Sequence, residues 1–152
     1  MYDKFFAYLD SLDKSFIKLA GLLHEKLAAL DRFDPDTLDE IVKEEQVYTL
    51  KSKGFESQIK NFRQQLKLSG ETLSEVIAEL PEEEKQRFED VFLRLSTSLE
   101  VVRELNQKCQ DLTENRLHQI DKALKDVDKS KGTSYSEIRN SDDAPKLMNK
   151  SI

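Results

Sequence analysis

Apolar residues recur along most of this chain at spacings of three and four, the period of one face of an α-helix. Phe5, Leu9, Leu12, Phe16, Leu19, Leu23, Leu27 and Leu30 form the first such stripe, and Phe6, Ile17, Leu22 and Ala29 widen it. The spacing predicts a helix from about Asp3 to Asp31 that touches more than one neighbour. Asp34-Pro35 then reads as a restart: the aspartate caps, and proline suits the first helical position because its missing N–H would be unpaired there. A second helix is expected from Pro35 to about Leu68, with Leu38, Ile41, Val42, Tyr48, Phe55, Ile59, Phe62 and Leu66 on one face. Glu45 and Ser52 fall on apolar positions of that face and weaken it, and Gly54 beside them favours a bend.

Ser69-Gly70 is expected to end the second helix, with Gly70 in the left-handed cap conformation. Thr72-Leu73-Ser74-Glu75 has the form of a capping box and predicts a short helix over 73–79. Pro81 and three successive glutamates then open the longest element, where the helix dipole favours negative charge. Its apolar positions are Phe88, Phe92, Leu95, Leu99, Val102, Leu105, Cys109, Leu112, Ile120, Leu124 and Val127. A continuous helix over 81–127 would be roughly 70 Å long, against about 44 Å for the first helix. Either the long helix breaks or its far end lacks cover from its own chain.

Periodicity stops near Asp128. The segment 128–152 is built of polar turn formers and carries too little apolar surface to offset the entropy of ordering, so it is read as a disordered tail. The expected fold is all-α: an elongated antiparallel bundle of three long helices plus one short linker helix over 1–127, followed by that tail.

Composition narrows the function more than it alters the fold. Apolar residues make up 38% and charged residues 36%, as in slender bundles with much solvated surface. Net charge is −6; Asp, Glu, Lys and Arg sum to −1 over 1–70, −6 over 71–127 and +1 over 128–152. An acidic middle without a basic stripe argues against nucleic-acid binding. No apolar run approaches the roughly 20 residues of a membrane span, and the N-terminus lacks the pattern of a signal peptide. With a lone cysteine besides, the expected location is the cytoplasm.

Catalytic and metal chemistry find little support. His24 and His118 are the only histidines, with no Cys-x-x-Cys or His-x-x-x-His pair, so no cofactor or metal is expected. Neither has the His-x-x-Lys-small pattern of helical phosphotransfer domains: after His24 the lysine falls one position early, at Lys26. Cys109 lies on the apolar seam and reads as a small buried hydrophobe rather than a nucleophile. What remains is surface. The stretch 105–127 mixes Leu105, Cys109, Leu112, Leu117, Ile120 and Leu124 with Asn106, Asn115, Arg116 and Gln119, a combination suited to helix-in-groove recognition or coiled-coil pairing. Packing inside the bundle or in a homodimer fits the same periodicity.

The stretch Val76-Ile77-Ala78-Glu79-Leu80-Pro81-Glu82-Glu83-Glu84, followed by a long helix containing Leu105-Asn106-Gln107 and Glu114-Asn115-Arg116-Leu117, resembles the FlgN family. These are cytoplasmic chaperones of the flagellar type III export system. The plan over about 1–127 is also similar: helical hairpin, linker helix, long C-terminal helix, tail. The resemblance implies a protein without enzymatic activity that binds C-terminal amphipathic segments of hook-associated (hook–filament junction) proteins and delivers them to the export gate. Together with the uncovered end of the long helix, this sets the expected client site at Leu105, Cys109, Leu112, Arg116, Leu117, Ile120 and Leu124, and the resemblance gives Tyr135, the tail's only tyrosine, a contact with the gate. A self-associating coiled coil is the alternative from a different class, and a phosphotransfer module a third.

Overall fold

The computed structural model describes residues 2–131, and among them every regular element is helical. Helix α1 spans Tyr2–Arg32, α2 Pro35–Lys53, α3 Phe55–Gln65, α4 Leu73–Ala78 and α5 Glu82–Lys131. The expected all-α bundle is therefore the observed one. The second long helix is interrupted where its stripe weakens: Gly54 closes α2 and opens α3.

Partner spacing gives the topology. Asp3 meets Arg87, Asp10 meets Arg94, Asp13 meets Ser98, Leu23 meets Cys109 and Asp31 meets Arg116, at separations of 84, 84, 85, 86 and 85 residues. A near-constant separation means that α1 and α5 run parallel along one seam. Against α2 and α3 the order reverses: Lys26 pairs with Glu45, and Tyr8 packs on Phe62. The chain thus runs up, down and up, each long segment antiparallel to the next.

The main core lies between α1 and α5. Phe5, Leu9, Leu12, Phe16, Leu19 and Leu23 interleave with Phe88, Val91, Leu95, Leu99, Val102, Leu105 and Cys109. Phe5 and Phe62 stack at 4.9 Å, and Phe88 approaches Phe5 at 5.2 Å and Phe6 at 5.8 Å, so aromatic rings tie α3 to the start of the seam. Burial there pushes the Tyr8 phenol up to about 12. Helix α4 adds Leu73, Val76 and Ile77 to the same core. The opposite flank of α1 has a smaller cluster of Leu22, Ala29 and Ile41, which accounts for two positions of its widened stripe; Phe6 packs on the main core and Ile17 is exposed.

Several local signals read as expected. Asp34 Oδ1 accepts from the Thr37 amide at 3.2 Å, with Pro35 next in line. Thr72 Oγ1 accepts from the Glu75 amide, but the Glu75 carboxylate accepts from Glu71 N–H, one residue before the expected partner. The Ser69–Gly70 turn is held by Glu79, whose carboxylate accepts from both backbone amides and from the Ser69 hydroxyl. The Ser69 hydroxyl, then the Gly70 and Ser69 amides, keep that carboxyl below its ordinary range.

The left-handed cap falls elsewhere than expected. Lys67, with φ 55°, holds that conformation, and Gly70 does not. The α3 terminus closes three residues earlier because Leu68 folds back on the core, its amide donating to Arg63 O and that of Lys67 to Gln64 O. Gly70 is needed for space: a Cβ there would sit 2.7 Å from Glu75 Cβ and 2.8 Å from the Val76 nitrogen. Helix α1 ends in the same motif, with Phe33 at φ 55° and the Phe33 and Asp34 amides donating to Leu30 O and Ala29 O. A left-handed conformation costs a residue with a Cβ about 1–2 kcal/mol.

The two polar residues on the α2 stripe are buried and paired. Ser52 Oγ donates to Thr49 O at 2.8 Å. Glu45, 4% exposed, accepts from Lys26 Nζ at 3.0 Å. Removing one member of such a pair leaves the other as an uncompensated buried charge. Glu45→Ala is therefore expected to cost about 3 kcal/mol in urea unfolding, while Lys26→Met combined with Glu45→Leu recovers most of that loss.

Candidate functional site

Helix α5 is far longer than anything beside it. Its 50 residues extend about 75 Å and the 31 of α1 about 46 Å. The parallel register sets the whole excess at one end, because Asp3 near the start of α1 already lies beside Arg87 near the start of α5. At the other end, Asp31 meets Arg116. Fifteen residues of α5 follow Arg116, about 22 Å of helix past the end of α1.

Side-chain burial changes at the same point. Leu105 and Cys109 are 4% and 1% exposed and belong to the core. Leu112 is half-buried, as is Arg116. Beyond them Leu117, Ile120 and Val127 are exposed at 38%, 45% and 44%, with Leu124 half-buried. At 100° per residue, Ile120 and Val127 fall within ~20° of Cys109 on the helix. The seam line therefore continues after the helix that covers it has stopped.

Of the seven residues expected at a client surface, the structure sets Leu105 and Cys109 inside the bundle, because α1 reaches as far as residue 116. The Cys109 thiol donates toward Leu23 O at 3.5 Å, and burial raises its pKa, so it is shielded and protonated at neutral pH. Arg116 is engaged in holding the end of α1. Its Nη2 donates to Asp31 Oδ1 at 3.2 Å and Asp31 O at 3.4 Å, Nη1 to Gln119 at 3.1 Å, and its guanidinium lies 4.3 Å from the Phe33 ring centre. A cation near the terminal carbonyls of a helix is stabilising. Leu117, Ile120 and Leu124 form one open stripe with Val127. That valine was visible as an apolar position but was not set among the site residues. Tyr135 and the tail from 132 lie outside the described residues; residues 128–131, expected in the tail, continue α5.

His24 and His118 are both exposed, on α1 and α5. Among the described residues no group of three or more His, Cys, Asp or Glu is arranged to hold a metal ion, and no helix is long and apolar enough to cross a membrane. Charge on the α1–α5 rim is spent on register: Arg87 bridges Asp3 at 2.8 Å and Glu84 at 2.6 Å, and Arg94 reaches Asp10 at 3.1 Å. The Arg87 hydrogen bond holds the Asp3 carboxyl below its usual range, and Lys14 and then Arg94 do the same for Asp10.

A family model described as FlgN protein matches residues 1–142, all but the last ten positions of the chain. Among curated proteins and solved structures, no match to the chain was found.

The burial of Cys109 gives a direct check on the division between core and open stripe. The native protein is expected to leave Cys109 unmodified by an aromatic disulfide reagent at neutral pH over the time in which a denatured sample reacts fully. Prompt labelling of the native protein would show that the seam is open at residue 109.

Proposed function

The chain belongs to the FlgN family of flagellar export chaperones, and on that premise we propose that it captures its clients on the part of α5 that outruns α1. The clients are the C-terminal amphipathic segments of hook-associated, hook–filament junction proteins, and they are held unassembled until delivery to the export gate in the cytoplasm. The observation that carries this reading is the stripe Leu117, Ile120 and Leu124, a continuation of the core seam without a covering helix among the described residues. An amphipathic client helix laid along it takes the place that α1 holds one turn lower. Its apolar face leaves water, which serves both partners, since a bare amphipathic segment is prone to association.

Polar neighbours suit a contact that must later be released. Arg116, Asp121 and Asp128 border the stripe, each within roughly 80° of its centre line on the helix, and are half-buried. A rim of this kind keeps the buried apolar area small enough for dissociation. Leu112, half-buried at the edge of the core, marks the lower boundary of the site. Leu105, Cys109 and Arg116 support it from inside.

Ile120→Asp with Leu124→Asp is expected to abolish capture of peptides from the junction-protein C-termini, measured by isothermal titration, while far-UV helicity stays near native. Full affinity in this double variant would remove the proposed site. The tail carries a separate task in this reading, with Tyr135 touching the export gate. A chain ending at Lys129 is therefore expected to bind client peptide normally and to lose binding to the cytoplasmic domain of the gate in a pull-down. Loss of client binding on truncation would instead join the tail to the capture surface.

A further inference from the structure

Phe33 is the residue that neither the turn nor the core requires. It occupies the left-handed position that ends α1, with φ 55°, where a glycine meets no steric resistance. At the matching position of α3 the chain has Lys67, whose charged side chain is solvated and exposed. Phe33 instead presents an aromatic ring that is 56% exposed and belongs to neither hydrophobic cluster. Backbone strain and an open aromatic surface thus coincide in one residue.

The ring is nevertheless fixed in place. The Arg116 guanidinium covers one side at 4.3 Å, and Arg116 is itself held by Asp31 and Gln119. Arg116 stands on the seam line of α5 immediately below Ile120, four residues on and one helical turn up the same face. The ring therefore lies at the foot of the open stripe, where α1 stops and an in-line helix would begin.

Resting on the capture site proposed above, we infer that Phe33 is the inner end wall of that site and an anchor for the client. The occupant is the same amphipathic helix that covers Ile120 and Leu124, and the open part of the Phe33 ring takes an apolar side chain from the helix end nearest α1. Two observations support this choice of occupant. The ring is joined through Arg116 to the stripe, and a helix continuing the line of α1 must end against the α1–α2 turn. A ring already held in place gives apolar contact at little cost in lost side-chain freedom. Phe33 also limits how far a client can slide along α5, which fixes the register of capture.

The test exploits opposite signs. Phe33→Gly removes the ring and relieves the left-handed strain, so its melting temperature is expected to equal or exceed that of the native chain. Its affinity for the junction-protein C-terminal peptides is expected to fall about tenfold by isothermal titration. Phe33→Tyr keeps the ring and is expected to bind within about twofold of native. Unchanged affinity in Phe33→Gly, or a lowered melting temperature marking the ring as a packing residue, would overturn the inference. Ile120→Asp with Leu124→Asp, run alongside, separates the two ideas. If that variant still binds, the capture site itself is misplaced; if it fails while Phe33→Gly binds fully, the end wall alone is wrong.

Discussion

Everything distinctive about this molecule depends on the register in which α1 lies against α5. The two helices are parallel, and their partners stay 84 to 86 residues apart from Asp3–Arg87 to Leu23–Cys109. Apolar packing alone tolerates a slip of one heptad, because leucine and phenylalanine recur at equivalent positions on both stripes. The rim pairs do not. A slip of seven residues in one direction brings Asp10 level with Val101, and in the other Ile17 level with Arg94. Each exposed ion pair contributes little to stability. Together they select one alignment, and that alignment decides where the cover over α5 runs out.

Buried polar groups act in the same direction. Asp13, 2% exposed, accepts from Ser98 Oγ at 2.6 Å, inside the main seam. Lys26 and Glu45 hold α2 against the other flank of α1. Apolar residues of similar volume would stabilise these contacts at least as well, since desolvating a charge offsets most of the attraction between partners. What the polar pairs supply is exclusion of alternatives, because any other pairing leaves a buried charge uncompensated. A slender bundle with long repeating stripes has more need of this than a compact fold.

The helices, their starts at Pro35 and Thr72 and the interruption at Gly54 were legible because each rests on residues close together in sequence. The open stripe proposed as the client surface was half legible for a different reason. Periodicity shows that Leu105, Cys109 and Ile120 share a face, but not which neighbour covers that face at each level. Cover depends on where α1 ends relative to α5, and the information lay in the lengths. If the two helices start level, 31 residues counted along α5 from Glu82 end at Leu112, about one turn short of the observed boundary at Arg116. Pairings such as Lys26 with Glu45 could not be read that way, since a buried glutamate on an apolar stripe does not name its partner. Phe33 carries no signal of its own, because the boundary after α1 is marked by the capping Asp34 and by Pro35 beside it.

The open part of α5 is short for a helix standing by itself. Isolated helices of some 12–15 residues are marginal in water, mostly because the first turn is unfavourable to form. Here the first turn is supplied by the bundle, so the segment after Arg116 only propagates a helix that is already in place. Local pairs such as Lys125 with Asp121 at 3.4 Å add modest support. A helix maintained in this way keeps Leu117, Ile120 and Leu124 aligned beyond the end of α1, and it retains less stability than the seam below it. In the proposed capture, a client meets a preformed stripe and need not pay to order it, yet it gains only a few side chains of apolar contact. Preformed geometry with a small buried area gives a site that fills readily and empties readily, which is what an escort requires and what a wholly covered α5 would deny it.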